Sequence, residues 1–269
     1  MKLVGVFTLT MFGSGLARSG IIMLFPKKFN FVGRHKYVLI SLLLYWPALF
    51  VATHISVPQV VRNAGVSDKK LHFLAYLILV SLLWFVVSPH DRVNWKKAKV
   101  WIVLAVIVWY GAADEWLQGF VHRGRDIGDF WADLTGAVTG LVILSIFSFW
   151  PGLLVLLGMV IFFVTNLTRV HMVLSSEYVN TAFNFLAYAF FTLVWIQNIH
   201  RYIGQRQIGR KWWIAAASVP VLFLASVKAY SLLMTDREIW IYDIATSATA
   251  ILAMLTVSFL ICGPDKKEL

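Results

Sequence analysis

Eight apolar runs, each close to the ~20 residues that cross a bilayer as a helix, constrain this chain more than any other feature. They fall at about 37–56, 69–88, 99–117, 129–149, 151–168, 180–199, 211–234 and 239–262. In hydrocarbon every backbone N–H and C=O must be satisfied inside its own helix or a closed barrel, and runs of this length select helices. The expected fold is therefore all-α, a polytopic transmembrane helix bundle of eight or nine spans. Hydrophobic residues make up 59% of the chain and charged residues only 14%, which agrees. Leu3 to Phe25 is apolar enough for a ninth span with its N-terminus outside; Arg18 and several glycines weaken it, and a helix lying at the surface is the alternative. A cleaved signal peptide is disfavoured, because Lys2 is the only charge before the apolar stretch and no clean small-x-small site follows.

The net charge of +11 would suit nucleic acid if it were clustered on one surface, but it follows the spans instead. One set of alternate connections holds Lys27, Lys28, Arg34, Lys36, Arg92, Lys96, Lys97, Lys99, Arg201, Arg206, Arg210, Lys211, Lys266 and Lys267, fourteen in all. The opposite set holds seven: Arg62, Lys69, Lys70, Arg123, Arg125, Arg169 and Arg237. The positive-inside rule assigns the richer side, and with it the C-terminus, to the cytoplasm. No nucleic-acid partner is expected. The lone Cys262 excludes an internal disulfide framework and a thiolate metal cluster, and reads as a small hydrophobe at a helix end. Trp46, Trp84, Trp116, Trp131 and Trp150 lie near span ends and read as interface anchors.

The chain also repeats itself. Phe50-Val51-Ala52-Thr53-His54 resembles Phe162-Phe163-Val164-Thr165-Asn166, and His72-Phe73-Leu74-Ala75-Tyr76 resembles Asn184-Phe185-Leu186-Ala187-Tyr188, both at an offset of 112. Four spans per unit is an even number, so the units are parallel repeats. The organisation expected is an N-terminal hydrophobic segment and basic loop (1–36), a first four-helix unit (37–150) and a degenerate second unit (151–269). At the constant offset Asp114, Glu115 and Gln118 become Ser226, Val227 and Tyr230, so the second unit loses most of the ionisable set. Asp243 pairs with Asp133 at an offset of 110 or with Asp129 at 114, which the sequence leaves open. Lys228 either pairs with Asp243 or snorkels.

Ionisable groups at membrane depth mark functional sites by default. In the first unit His72 and Tyr76 are i,i+4 neighbours, Glu115 and Gln118 are i,i+3, and Asp129, Asp133, Gly136 and Gly140 form one stripe. Gly136-x-x-x-Gly140 permits close helix approach. These groups sit at span ends that charge counting places on the outer face.

Three blocks carry a resemblance: Asp68-Lys69-Lys70-Leu71-His72-Phe73-Leu74-Ala75-Tyr76, then Asp114-Glu115-Trp116-Leu117-Gln118, then Arg125 with Asp129, Asp133, Gly136 and Gly140. Their order and spacing resemble the VanZ-like family of bacterial membrane proteins over roughly residues 37–149. The chain departs from the family pattern in carrying Asp133 where Asn is common, and in its appended second unit. The resemblance implies a bacterial inner (plasma) membrane protein of the cell envelope, in a family associated with low-level resistance to the glycopeptide teicoplanin.

Three functions fit these residues. As an outer-leaflet enzyme, Arg125 and Lys69 would hold the anionic head group of a lipid-linked phosphate, with Glu115 or His72 as acid or base and Asp129 beside them. Tyr76, Asp114, Gln118 and Asp133 would complete the binding site. As a lipid or small-solute transporter or flippase, Glu115, Asp129 and His72 would carry protons or a counter-ion. As a structural envelope protein, the groups would lock helices together. A metal set of His72, Glu115, His122 and Asp129 lacks any spacing such as His-Glu-x-x-His, so no metal or other cofactor is expected. The expected partners are membrane lipids, with a monomer favoured over a loose homodimer.

Overall fold

A computed structural model of the protein describes residues 31–54, 67–120, 126–166, 177–202, 210–235 and 241–262. The segment 1–25, His122 and Arg125 lie outside them. The described residues form α1 (Phe31–His54), α2 (Asp68–Val87), α3 (Ala98–Gln118), α4 (Ile127–Ile146), α5 (Phe149–Asn166), α6 (Glu177–Tyr202), α7 (Arg210–Thr235) and α8 (Ile241–Cys262), with no strand among them. All eight helices are long and apolar enough to cross a membrane. Large apolar side chains such as Leu44, Trp109, Ile127, Leu233 and Leu260 point outward, while several carboxylates are buried. This arrangement, inverted relative to a water-soluble protein, suits lipid as the solvent.

The units share one packing plan. α2 and α4 make the most extensive contact in the first, α6 and α8 in the second. In each, the first helix leans on the second and third, and the third on the second and fourth. Gly136 makes the α2–α4 approach possible: a Cβ there would lie 2.2 Å from the Phe73 carbonyl oxygen. One apolar core surrounds Tyr76, Leu77, Val80 and Trp84, and another surrounds Tyr188, Ile196, Ile199 and Trp212. Only Phe147 and Ser148 link α4 to α5, which therefore runs back along the first unit. Phe163, near its far end, stacks on Phe73 with ring centroids 5.4 Å apart. The polar ends of both units thus lie at the same end of the bundle.

Burial fixes correspondences that similarity left open. Between α2 and α6 the offset of 112 holds, since His72, Tyr76, Leu79, Val80 and Trp84 match Asn184, Tyr188, Phe191, Thr192 and Ile196, all buried. On α3, buried Asp114, Glu115 and Gln118 match buried Val227, Lys228 and Ser231, an offset of 113, whereas Ser226 is exposed. The expected Ser226, Val227 and Tyr230 are therefore out of register by one residue. On a helix one residue is a rotation of about 100°, enough to move a side chain off the buried face. On α4, Asp129, Asp133, Gly136, Ala137 and Leu141 match Asp243, Ser247, Ala250, Ile251 and Leu255, an offset of 114. Asp243 thus answers to Asp129.

The tryptophans divide. Trp116 and Trp131 face outward, as interface anchors do. Trp84 does not: it is buried, and its Nε1 donates to the Asp91 carbonyl at 3.2 Å. It is a core residue that ties down the connection after α2.

Candidate functional site

The N-terminal turns of α2 and α4 and the C-terminal turns of α1 and α3 meet at one end of the first unit. Asp126 caps α4 by accepting a hydrogen bond from the Gly128 N–H at 2.7 Å. It also accepts from the Lys69 ammonium across the interface, and these two bonds hold its carboxyl below the usual carboxylate range. Lys69 Nζ donates again to Asp129 Oδ1 at 3.4 Å.

One turn deeper His72 turns both ring nitrogens towards carboxylates. Nδ1 lies 2.9 Å from Asp133 Oδ1, and Nε2 lies 3.9 Å from Asp129 Oδ2. Glu115 reaches in from α3, its Oε2 accepting the Asp126 backbone N–H at 3.3 Å. Asp114 and Gln118 form a separate group facing α1: Thr53 Oγ1 and Gln118 Nε2 each donate to the Asp114 carboxylate at 2.9 Å, with His54 Nδ1 3.6 Å away.

Exposure falls steadily inward. The Lys69 and Asp126 side chains are 51% and 50% exposed, Asp129 8%, His72 3% and Asp133 2%. Tyr76 is wholly buried, and beyond it the α2–α4 interface is apolar, with Leu77, Val80, Ala137 and Leu141, apart from Ser81, whose hydroxyl donates to the Leu77 carbonyl of its own helix. The result, among the described residues, is a polar inlet that is half-exposed at one end and buried at the other. Three atoms at its closed end, Asp133 Oδ2, Glu115 Oε1 and the Tyr76 hydroxyl, are buried without a hydrogen-bond partner among the described residues. Such groups are costly in a low dielectric unless something not part of the chain satisfies them. Gly111 makes the room: a Cβ there would lie 3.3 Å from Asp133 Oδ2 and 3.5 Å from Tyr76 Cε1.

The inlet gathers Lys69, His72, Tyr76, Glu115, Asp129 and Asp133, all expected from sequence. Asp114 and Gln118 belong to the adjoining group. Sequence reasoning missed Asp126, Gly111, Thr53 and His54 as site residues. The signal for Asp126 was an Asp preceding an apolar run by the spacing of a helix cap. Thr53 and His54 were visible only as a repeat marker at a span end. Two sets have ligand atoms mutually within 4.8 Å, the spacing a metal ion needs: His72, Glu115 and Asp133, and Asp68, His72 and Asp129. Both differ from the set considered from sequence, which included His122, outside the described residues: the first takes one donor from each of α2, α3 and α4, and the second takes two from α2 and one from α4.

At the equivalent place in the second unit, Lys228 stands for Glu115 and Asp243 for Asp129. Lys228 Nζ lies 3.5 Å from Asp243 Oδ2, and Asn180 Nδ2 donates to Asp243 Oδ1 at 2.8 Å. Lys228 therefore pairs with Asp243 instead of snorkelling. The second unit has not simply lost its ionisable set, as the constant offset implied. It has exchanged an acidic cluster for a charge-compensated pair.

Comparison with protein-family models, curated proteins and solved structures finds no match to this chain. The resemblance to the VanZ-like family rests on the three sequence blocks alone.

Proposed function

We propose that the first unit binds the anionic head group of a lipid-linked phosphate at the mouth of the polar inlet and exchanges protons with it through His72 and Glu115. In this reading the protein is a VanZ-like component of a bacterial inner membrane, with the inlet on the outer face, and glycopeptide tolerance follows from a changed envelope. The observation that carries it is the one-ended gradient from half-exposed Lys69 and Asp126 to buried Asp133 and Tyr76. A head group can reach Lys69 from the lipid–water boundary while its chain stays in lipid beside the exposed apolar faces. By sequence Arg125 immediately precedes Asp126, and it supplies a second cation on the connection leading to the mouth.

The gradient also weighs the alternatives. A conduit would continue past Tyr76, where the interface is instead apolar. A purely structural lock is expected to balance its charges, as Lys228 and Asp243 do, whereas Glu115, Asp129 and Asp133 outnumber the cations beside them.

The test is binding of a polyprenyl phosphate and the matching uncharged polyprenol to the full chain in nanodiscs, read by native mass spectrometry. Selectivity for the phosphate that is lost in Lys69→Ala supports the proposal. Equal binding of both lipids, or selectivity unchanged in Lys69→Ala, overturns it. Movement of the lipid across proteoliposomes under a proton gradient would assign the site to a carrier.

A further inference from the structure

We propose that His72, Glu115 and Asp133 hold a divalent metal ion of the zinc or manganese class at the closed end of the inlet. This inference rests on the proposed function only for the ion's role and not for its binding.

Three helices each contribute one donor, and the donor atoms lie within 4.8 Å of one another. His72 Nδ1 and Asp133 Oδ1 are 2.9 Å apart. That is a hydrogen-bond separation; two ligands of a tetrahedral ion, each about 2.0–2.2 Å from it, are about 3.4 Å apart, so the pair opens by about half an ångström to take one. Glu115 supplies the third donor, within the same 4.8 Å. The donors are one imidazole and two carboxylates with no thiolate, a combination that suits zinc or manganese. The other ring nitrogen faces Asp129 Oδ2 at 3.9 Å, as outer carboxylates orient ligating histidines.

A second observation, independent of the acidic residues, points to a ligand in the same space. The Tyr76 hydroxyl is buried without a hydrogen-bond partner among the described residues. Its ring edge and Asp133 Oδ2 pack together against Gly111, 3.5 and 3.3 Å from where a Cβ would lie. An ion with a bound water among these groups would satisfy the hydroxyl and the unpaired oxygens of Glu115 and Asp133 together. Electrostatics favours the same answer. A carboxylate buried in a membrane span is costly unless compensated, and Lys69 is already shared between Asp126 and Asp129. A dication offsets the surplus and turns a cluster that repels phosphate into one that attracts it.

The experiment uses the full chain in detergent, stripped with a chelator and titrated with Zn²⁺ and separately with Mn²⁺. Metal content is read by mass spectrometry and the ligand shell by X-ray absorption. The expected result is about one ion per chain with an imidazole nitrogen among its ligands. Glu115→Gln and Asp133→Asn should each weaken binding beyond the roughly 10–100-fold that outer-shell partners cost, while Asp91→Asn, at the opposite end of the bundle, leaves it unchanged. Failure to bind either ion, binding without an imidazole nitrogen, or binding unaffected by both carboxylate variants overturns the inference. The absorption spectrum of the unsubstituted chain decides the matter should the variants fail to fold. Phosphate selectivity persisting in a chain that binds no metal sinks the ion and spares the function; metal binding without phosphate selectivity does the reverse.

Discussion

His72 sits between Asp133 and Asp129, and the two contacts are unequal: 2.9 Å with Oδ1 of the first, 3.9 Å with Oδ2 of the second. Asp133→Asn, measured without added metal, should therefore lower thermal stability in detergent more than Asp129→Asn. The difference should be on the order of 1–3 kcal/mol, the cost of a buried polar group left poorly paired. In the second unit, Lys228→Met or Asp243→Leu alone leaves a buried charge and should cost about 3–5 kcal/mol, and the double variant should recover most of it. A double variant as unstable as the sum of the singles would refute the pairing. The Lys69–Asp126 bridge predicts a pH effect whose sign follows from the lowered Asp126 carboxyl. Its contribution is complete above the unfolded value of about 3.9 and is lost as pH falls through the lower folded value. Acid unfolding of Asp126→Asn should thus converge with that of the unsubstituted chain at the acid end of the profile, and differ from it at neutral pH. At this scale the sequence showed which side chains were out of place in lipid. It did not show that Asp114 faces α1 while Asp133 faces His72, because that depends on how each helix is rotated.

The α2–α4 interface is the closest approach in the first unit, and its two glycines are not equivalent. A Cβ on Gly136 meets backbone, 2.2 Å from the Phe73 oxygen, whereas on Gly140 it meets the Val80 side chain at 2.6 Å. Gly136→Ala should force the helices apart and destabilise by about 1–3 kcal/mol or more, and Gly140→Ala should cost less because Val80 can shift. Equal melting temperatures for the two variants would contradict the packing described. Helix existence and approximate ends were legible because each element is a long apolar run with polar connections. Helix register between the repeats was not. Similarity kept an offset of 112 as far as α6, but the changes to 113 and 114 fall at helices where little beyond the buried stripe is shared.

For the whole molecule, α1 to α8 alternate in direction, and the polar ends of both units come together. The proposed orientation puts that end outside. In a Cys262→Ser background, a cysteine replacing Lys70 should react with a membrane-impermeant thiol reagent on intact cells or spheroplasts, and one replacing Lys96 only after permeabilisation. The opposite pattern would invert the topology. The second unit does not show that its fold dispenses with a polar cluster, since Lys228 and Asp243 occupy corresponding places. It shows that this fold accepts either a compensated pair or an acidic surplus there; only the surplus leaves carboxylate oxygens unpaired among the described residues, whereas the buried tyrosine hydroxyl, Tyr76 or Tyr188, is unpaired in both units.

The sequence by itself determined an all-helical, membrane-spanning chain, its duplication and the first-unit residues worth attention, because apolar length and the cost of burying charge are properties of the chain alone. Only the tertiary structure decided which of those residues meet. It made a one-ended inlet of Lys69, Asp129, His72 and Asp133, added Asp126 and Gly111, matched Lys228 to Glu115, and brought His72, Glu115 and Asp133 within reach of one ion. The physical reason is that a helix rotates a side chain by about 100° per residue. Convergence of groups from separate helices therefore depends on packing angles and register, which glycine contacts and buried faces set and no local pattern records.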